Sequence, residues 1–263
     1  MFVHLHVHSD YSLLESCITI PEYLQFAAEN QYTAAALTDR NTTAGFVEFS
    51  SACAGRGIKP VFGLDLDVER DGHRFRFVLL ARSGRGIEAL HYLASQVKPV
   101  PWPVLVHGAA DLFVLTGPVF QGLFSAALDL PTGGQKPAAI EAWQRAAAEF
   151  GAQRVIVQLE LDTTHKRDAS GQLQQWLADL DCQFVATQEG VLLNEEQKPA
   201  FACMQTMAGK ALSQEELSAL VPLAGRECLQ AFGNEFTPAL GYTRQIASSC
   251  GGDVERRRAQ MPE

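Results

Sequence analysis

Short apolar runs alternate with amphipathic stretches along most of the chain. Runs rich in valine, leucine, alanine and phenylalanine predict strands at 33–37, 59–68, 74–81, 111–116, 154–161 and 182–187. Helical periodicity and helix-end residues predict helices at 22–30, 46–54, 86–96, 139–150 and 172–180, and then at 196–207, 213–220 and 237–250. Strands that alternate with helices through short links favour parallel β/α units. Six or seven such strands predict a closed or nearly closed barrel.

The first eleven residues after the initiator methionine have a pattern of their own, FVHLHVHSDYS. His4, His6 and His8 occupy alternate positions with valine or leucine between them. A strand over this stretch places all three imidazoles on one side. Imidazole is a good ligand for zinc, manganese or iron, so a metal-binding strand end is one interpretation. A half-buried strand whose polar face happens to carry histidine explains the pattern equally well.

Carboxylates follow several of the other predicted strands. Asp39, Asp65, Asp67 and Glu189 stand at or near strand ends. Because chemistry in β/α barrels gathers at the C-terminal ends of the strands, a rim with histidines and carboxylates is a plausible multi-metal centre. A doubly wound open sheet is the alternative, but the chain has no glycine-rich dinucleotide fingerprint to support it.

Composition and charge narrow the function classes. The 263 residues include 21 basic and 30 acidic ones, a net charge of −9, which argues against a module that grips nucleic acid by its phosphates. That balance suits a metal site, a protein–protein surface or one part of a larger assembly. We find neither an apolar run of membrane-spanning length nor a signal peptide. The six cysteines form no C-x-x-C pair, which is typical of a reduced, cytoplasmic protein.

Five strings in fixed order carry a family resemblance: FVHLHVHSDYSLLES, ALTDRN, GIKPVFGLDLDV, FVLLARSGRG and VATQEG. Together they resemble the PHP (polymerase and histidinol phosphatase) domain, and more closely the PHP region of the bacterial C-family replicative DNA polymerases, the DNA polymerase III alpha subunits. The tail EFTPALGYTRQIASSCGGDVE resembles the segment that leads from that region into the polymerase palm and thumb. The chain is therefore expected to be an excised N-terminal part of a polymerase.

The resemblance implies a fold and its boundaries. The expected fold is α/β, a distorted (β/α)7-type barrel with a helical C-terminal extension. The barrel is expected at 1–195, the helical end of the PHP region at 196–250, and a loose tail at 251–263. In the tail helix, Leu240, Tyr242 and Ile246 are candidates for contact with the rest of the polymerase.

The resemblance also implies a rim that binds up to three metal ions. Matched one by one, the positions that keep a possible ligand are His6, His8, Glu15, Asp65 and Glu189. The positions that lose one are Arg40, Arg76, Pro118 and Val191. Arginine cannot be a ligand because it stays protonated, so Arg40 and Arg76 are predicted to pair with rim carboxylates and supply the positive charge that metals supply elsewhere.

Two main hypotheses follow from that mixed set. In the first the metal site is degenerate, no cofactor is bound, and the domain is a scaffold. Its partners are then the palm and thumb of the same polymerase chain and a proofreading subunit. The domain contacts DNA only within the full enzyme. In the second a reduced zinc or manganese site at His6, His8 and an acid still hydrolyses phosphodiesters, as a 3′–5′ exonuclease. A standalone phosphatase of the same superfamily is the remaining alternative.

Overall fold

The computed structural model describes residues 2–225, 236–252 and 254. Most of the predicted tail at 251–263, and Cys228, lie outside these residues. Within them, none of the helices combines the length and the apolar character needed to cross a membrane.

A mixed seven-stranded sheet curls into a half-barrel, which confirms the predicted α/β class. The strands run β1-β2-β3-β5-β6-β7 across the sheet, with β4 paired to the far end of β2. Their bounds are β1 (Ala34–Leu37), β2 (Lys59–Arg70), β3 (His73–Ala81), β4 (Val100–Pro101), β5 (Leu112–Leu115), β6 (Val155–Glu160) and β7 (Gln183–Thr187).

Ten helices lie within the described part of the chain. They are α1 (Ile20–Glu29), α2 (Phe46–Ala54), α3 (Gly84–Ser95), α4 (Trp102–Gly108), α5 (Ser125–Leu128), α6 (Thr132–Phe150), α7 (Thr164–Trp176), α8 (Lys198–Met207), α9 (Gln214–Ala219) and α10 (Thr237–Ser249). The prediction for α7 was wrong at its start, because the Thr163 side chain accepts a hydrogen bond from the backbone N–H of Lys166 and caps the helix early. Helices α4 and α5 were missed.

The prediction of an all-parallel sheet was also wrong, since β3 runs antiparallel to both β2 and β5. The reason is the connection between β2 and β3. Asp71 and Gly72 have φ of 54° and 77°, which are the left-handed values that a two-residue hairpin turn requires. So short a turn can join only antiparallel strands.

The two faces of the sheet bury different apolar sets. One face packs against the surrounding helices in the larger core cluster. The other face is the concave interior, filled by one small cluster that includes Ala36, Val61, Val78, Leu115, Ile156 and Val185. Ile246 and Ala247 of helix α10 belong to the same cluster and pack against this interior. Of the candidates for polymerase contact in the tail helix, Ile246 is buried in the interior cluster, whereas Tyr242 and Leu240 are only partly buried, against the interior cluster and beside Phe2 respectively.

The N-terminal segment bridges the two edges of the curled sheet. The Thr38 N–H, just past β1, donates to the Val7 carbonyl (2.8 Å), and the His8 N–H donates to the Gly190 carbonyl (2.9 Å), just past β7. The segment is extended but pairs through a single bridge rather than as a regular strand. The prediction that all three histidines share one side is wrong for His4, whose Nε2 lies 2.9 Å from the Ala224 carbonyl oxygen while Leu5 enters the interior cluster.

Gln188 ties the segment after α9 to the end of β7. Its Nε2 donates to the carbonyls of Val221 (3.0 Å) and Pro222 (2.8 Å), and its Oε1 accepts from the Ala224 N–H (2.8 Å). Three hydrogen bonds from one nearly buried amide hold this segment in place.

Replacing Gln188 with leucine is therefore expected to lower the free energy of unfolding by about 1–3 kcal/mol, since a buried N–H and two carbonyls lose their partner. Hydrogen exchange should show faster exchange at the Ala224 amide. Gln175→Leu, on the exposed face of α7, is the matched control. Equal exchange at Ala224 in both variants would contradict the role of Gln188.

Candidate functional site

The concave face of the sheet changes from apolar to polar toward the rim. On β2 the inward positions run Val61, Gly63, Asp65, and on the antiparallel β3 they run Val78 and then Arg76. Successive inward side chains are two residues apart, so the same face that fills the core places Asp65 and Arg76 side by side at its mouth.

Strand β6 adds two polar groups that the sequence reading missed. Ile156 belongs to the interior cluster, and Gln158 and Glu160 follow it at two-residue spacing; both are buried. The signal was present in the string RVIVQLEL, where every second residue after Ile156 is polar. When the inward positions of a strand change from apolar to polar residues, the polar ones indicate a functional site, just as charged residues at a strand end do.

Asp65 is the centre of the rim cluster. Its Oδ2 lies 3.0 Å from His6 Nε2 and 3.1 Å from His8 Nε2, and it also accepts a short hydrogen bond from Arg76 Nη2. The Gln158 amide donates to His6 Nδ1 (3.1 Å), which leaves the ring proton on Nε2, facing Asp65. Asp65 has no exposed surface.

Arg76 links two carboxylates and a loop. Its Nη2 donates to Glu189 Oε1 (2.7 Å) as well as to Asp65, and its Nη1 donates to Gln121 Oε1 (2.7 Å). The Arg76 backbone N–H also donates to the Gln121 carbonyl (2.8 Å). Gly117 has φ of 79°, and a Cβ there would overlap the Arg76 carbonyl oxygen, so this loop can pack so closely only with glycine.

These contacts fix the charges of the cluster. Burial disfavours the ionised form of Asp65, but the charge of Arg76 and the hydrogen bonds from His6 and His8 outweigh it, so the pKa of Asp65 lies well below its usual range. Burial and Arg76 oppose each other at Glu189 in the same way, and its pKa is also lowered. Both carboxylates are therefore ionised at neutral pH around one guanidinium.

Arg40 forms two further ion pairs on the outer rim. Arg40 Nη2 lies 2.5 Å from Asp67 Oδ1, and Arg40 Nε lies 3.7 Å from Glu15 Oε2. Asn41 Nδ2 donates to the other Asp67 oxygen (2.7 Å). The predicted ion pairs between the two arginines and rim carboxylates are thus present for both Arg40 and Arg76.

The other residues singled out in the sequence lie in three different settings. Glu15 stands apart from the central cluster, between Arg40 and Lys210 Nζ (3.6 Å). Pro118 shapes the turn that presents Gln121, because its carbonyl accepts from the Gln121 N–H (3.0 Å). Val191 follows Glu189 by two residues, and its carbonyl accepts from the Cys17 N–H (3.0 Å).

Four donors at the rim are of the kind that binds a metal ion. One donor atom each from His6, His8, Asp65 and Glu189 lies within 4.8 Å of the other three. The types suit zinc or manganese. However, the nitrogen of Arg76 that joins the two carboxylates puts a permanent positive charge between them. The hydrogen bonds to Asp65 also place protons on the two histidine Nε2 atoms, and a protonated nitrogen cannot coordinate. With Arg76 in this position, a metal ion bound by both carboxylates would have to displace its guanidinium.

Comparisons with known proteins show what this chain is similar to. The sequence profile of the PHP domain matches residues 4–163. The DNA polymerase III subunit alpha of Bacillus subtilis is 28% identical over 99% of this chain, and so is that of Halalkalibacterium halodurans. This chain spans 24% of the length of each. Among solved structures, an amidohydrolase from Chromobacterium violaceum aligns with 72% of this chain and 87% of its own at a TM-score of 0.42 and 15% identity.

Proposed function

This chain belongs to the PHP domain family, and from that premise we propose that it is the PHP domain of a DNA polymerase III alpha-type protein, with a structural role and a degenerate metal site. The observation that carries this proposal is the guanidinium of Arg76 between Asp65 and Glu189. A fixed cation on the protein itself lies between the two carboxylates and offsets part of their charge, so the barrel needs no metal to bring them together.

The proposal extends to the surroundings of the domain. Two relatives align with nearly all of this chain but continue well beyond it, so the partners we propose are the palm and thumb of the same polymerase and a proofreading subunit. DNA is met only within the full enzyme, in the cytoplasm. In this proposal residues 1–195 form the barrel and 196–250 lead toward the palm and thumb.

A second candidate function is a metal-dependent 3′–5′ exonuclease or phosphoesterase with a reduced zinc or manganese site. Two observations favour it: the four-donor group itself, and the buried Nδ1 of His8, which has no hydrogen-bond partner among the described residues. Metal entry would require Arg76 to leave the carboxylates, and coordination through Nε2 of either histidine would require that nitrogen to lose its proton.

Metal analysis separates the two candidates. Chain purified without added metal is expected to carry less than about a tenth of an equivalent of zinc or manganese, and its melting temperature should not change with EDTA. It should release no nucleotide from a primer 3′ end when zinc or manganese is added. Near-stoichiometric metal, a lower melting temperature in EDTA, and cleavage that His8→Ala abolishes would establish the exonuclease instead.

A further inference from the structure

A cavity of about 330 Å³ lies on the convex side of the sheet, between the outer face of the β2–β3 hairpin and helices α5 and α6. Phe75 of β3 and Trp102 at the start of α4 line it with aromatic rings. The two helices contribute small residues, namely Ala126, Ala127, Ala138 and Ala142. Because each alanine carries a single methyl group, the helices leave open space beside the rings. Pockets for small organic ligands begin at about this size, roughly 300 Å³.

Among the described residues that line the cavity, both charged ones already have a partner. They are Arg70 and Arg145. Arg70 binds both carboxylate oxygens of Glu149, Nη1 to Oε2 at 3.2 Å and Nη2 to Oε1 at 3.1 Å. Arg145 Nη2 donates to Glu141 Oε1 at 2.8 Å. The other lining residues are apolar. A charged ligand buried here would lose its hydration without gaining an ion pair, so the cavity favours an uncharged one.

The Trp102 ring is held in a fixed position at this cavity. Its Nε1 donates to Glu149 Oε2 (2.6 Å), and the Arg70 guanidinium lies 4.4 Å from the ring centroid. The rings of Phe77 and Phe150 pack edge to face against it, with centroid distances of 5.6 Å and 5.3 Å. A side chain that is fixed before binding loses little conformational freedom when a ligand arrives, which favours affinity.

Apolar surface remains uncovered at the same place. Leu130 is 42% exposed, and Phe75 is only half-buried. A flat, apolar ring fits such a site, because aromatic pairs gain free energy beyond the area that they bury and the alanine methyl groups leave room for a ring. We propose that this cavity binds an uncharged aromatic ring of about the size of indole, between the rings of Phe75 and Trp102 and the alanines of α5 and α6.

Titration of the whole chain with indole tests this proposal, with ¹³C-labelled alanine methyl groups followed by NMR. We expect the signals of Ala138 and Ala142 to shift, and that of Ala36, in the interior cluster, to stay unchanged. Ala142→Leu and, separately, Ala138→Leu each fill part of the space and should weaken indole about tenfold or more. The matched control is Ala148→Leu, at an exposed position of the same helix, which should leave the affinity unchanged.

Two further probes define the ligand. Indole-3-acetate adds a carboxylate to the same ring, and we expect it to bind more weakly than indole, because Arg70 and Arg145 already have partners. A pentapeptide with blocked ends and a tryptophan between glycines identifies the source of the ring. Binding as tight as that of indole assigns the cavity to a side chain of a protein partner, whereas much weaker binding assigns it to a free small molecule.

Three results would overturn the proposal: no shift at Ala138 or Ala142 with millimolar indole, equal affinity for indole in wild type and in both cavity variants, or tighter binding of indole-3-acetate than of indole. None of these measurements depends on whether the rim cluster binds metal.

Discussion

Replacing Arg76 with methionine is expected to lower the free energy of unfolding by about 3–5 kcal/mol, the cost of removing one partner from a buried ion pair. Methionine keeps a long, unbranched side chain, so most of the packing volume remains. What is lost is the only permanent positive charge among the described residues in contact with Asp65. Asp65 and Glu189 would then be two neighbouring carboxylates without a cation between them. Urea unfolding followed by circular dichroism measures the loss.

The same substitution on the surface supplies the control. Arg145 pairs with Glu141 one helical turn away (2.8 Å), but the two side chains are 51% and 71% exposed. Arg145→Met is expected to change stability by no more than about 0.5 kcal/mol. A double variant, Arg76→Met with Asp65→Asn, removes one uncompensated charge and should recover part of the loss. If Arg76→Met costs no more than Arg145→Met, the rim does not depend on this guanidinium.

Much of the rim could be predicted from the sequence because the resemblance to the PHP domain pointed to His6, His8, Asp65 and Glu189 as rim positions. In the structure these four residues are brought together. Ion pairs could be predicted for Arg40 and Arg76 because a guanidinium stays protonated and pairs with carboxylates that lie near it. The partner of each arginine could not be predicted, since Asp65 and Asp67 lie on the same face of the same strand.

The predictions that were wrong or missing depend on contacts between residues far apart in the sequence. His4 alternates with His6 in sequence, but it faces Ala224, a residue that no local pattern connects to it. Gln121 supports Arg76 through a loop whose close approach depends on Gly117. The dipeptide Asp71-Gly72 is typical of a two-residue hairpin turn, which requires antiparallel strands, but the strand–helix alternation along the chain predicts parallel ones. At such a dipeptide, the turn that it favours is a better guide to strand direction than the order of strands and helices along the chain.

Replacing Arg76 with histidine, by contrast, is expected to make the domain dependent on zinc. The variant keeps an inward-facing side chain beside His6, His8, Asp65 and Glu189, but replaces a fixed cation with a neutral ligand. Without metal it should lose about as much stability as Arg76→Met, since the carboxylates again lack a cation. Zinc should then restore the lost charge, and at a hundred times its dissociation constant it should add about 2.7 kcal/mol.

The rescue must be specific to coordination, which the methionine variant tests directly. Zinc is expected to stabilise Arg76→His but not Arg76→Met, and adding His8→Ala to Arg76→His should abolish the gain, as urea unfolding and elemental analysis can show. If zinc stabilised the methionine variant equally, the four native donors alone would bind it, and Arg76 would merely compete with metal. If zinc stabilised neither, the rim would no longer have the geometry of a metal site. Side chains alternate in direction along β3, and this alternation points residue 76 inward. Specific rescue would show that this single side chain decides whether the positive charge at the rim comes from the protein or from a metal ion.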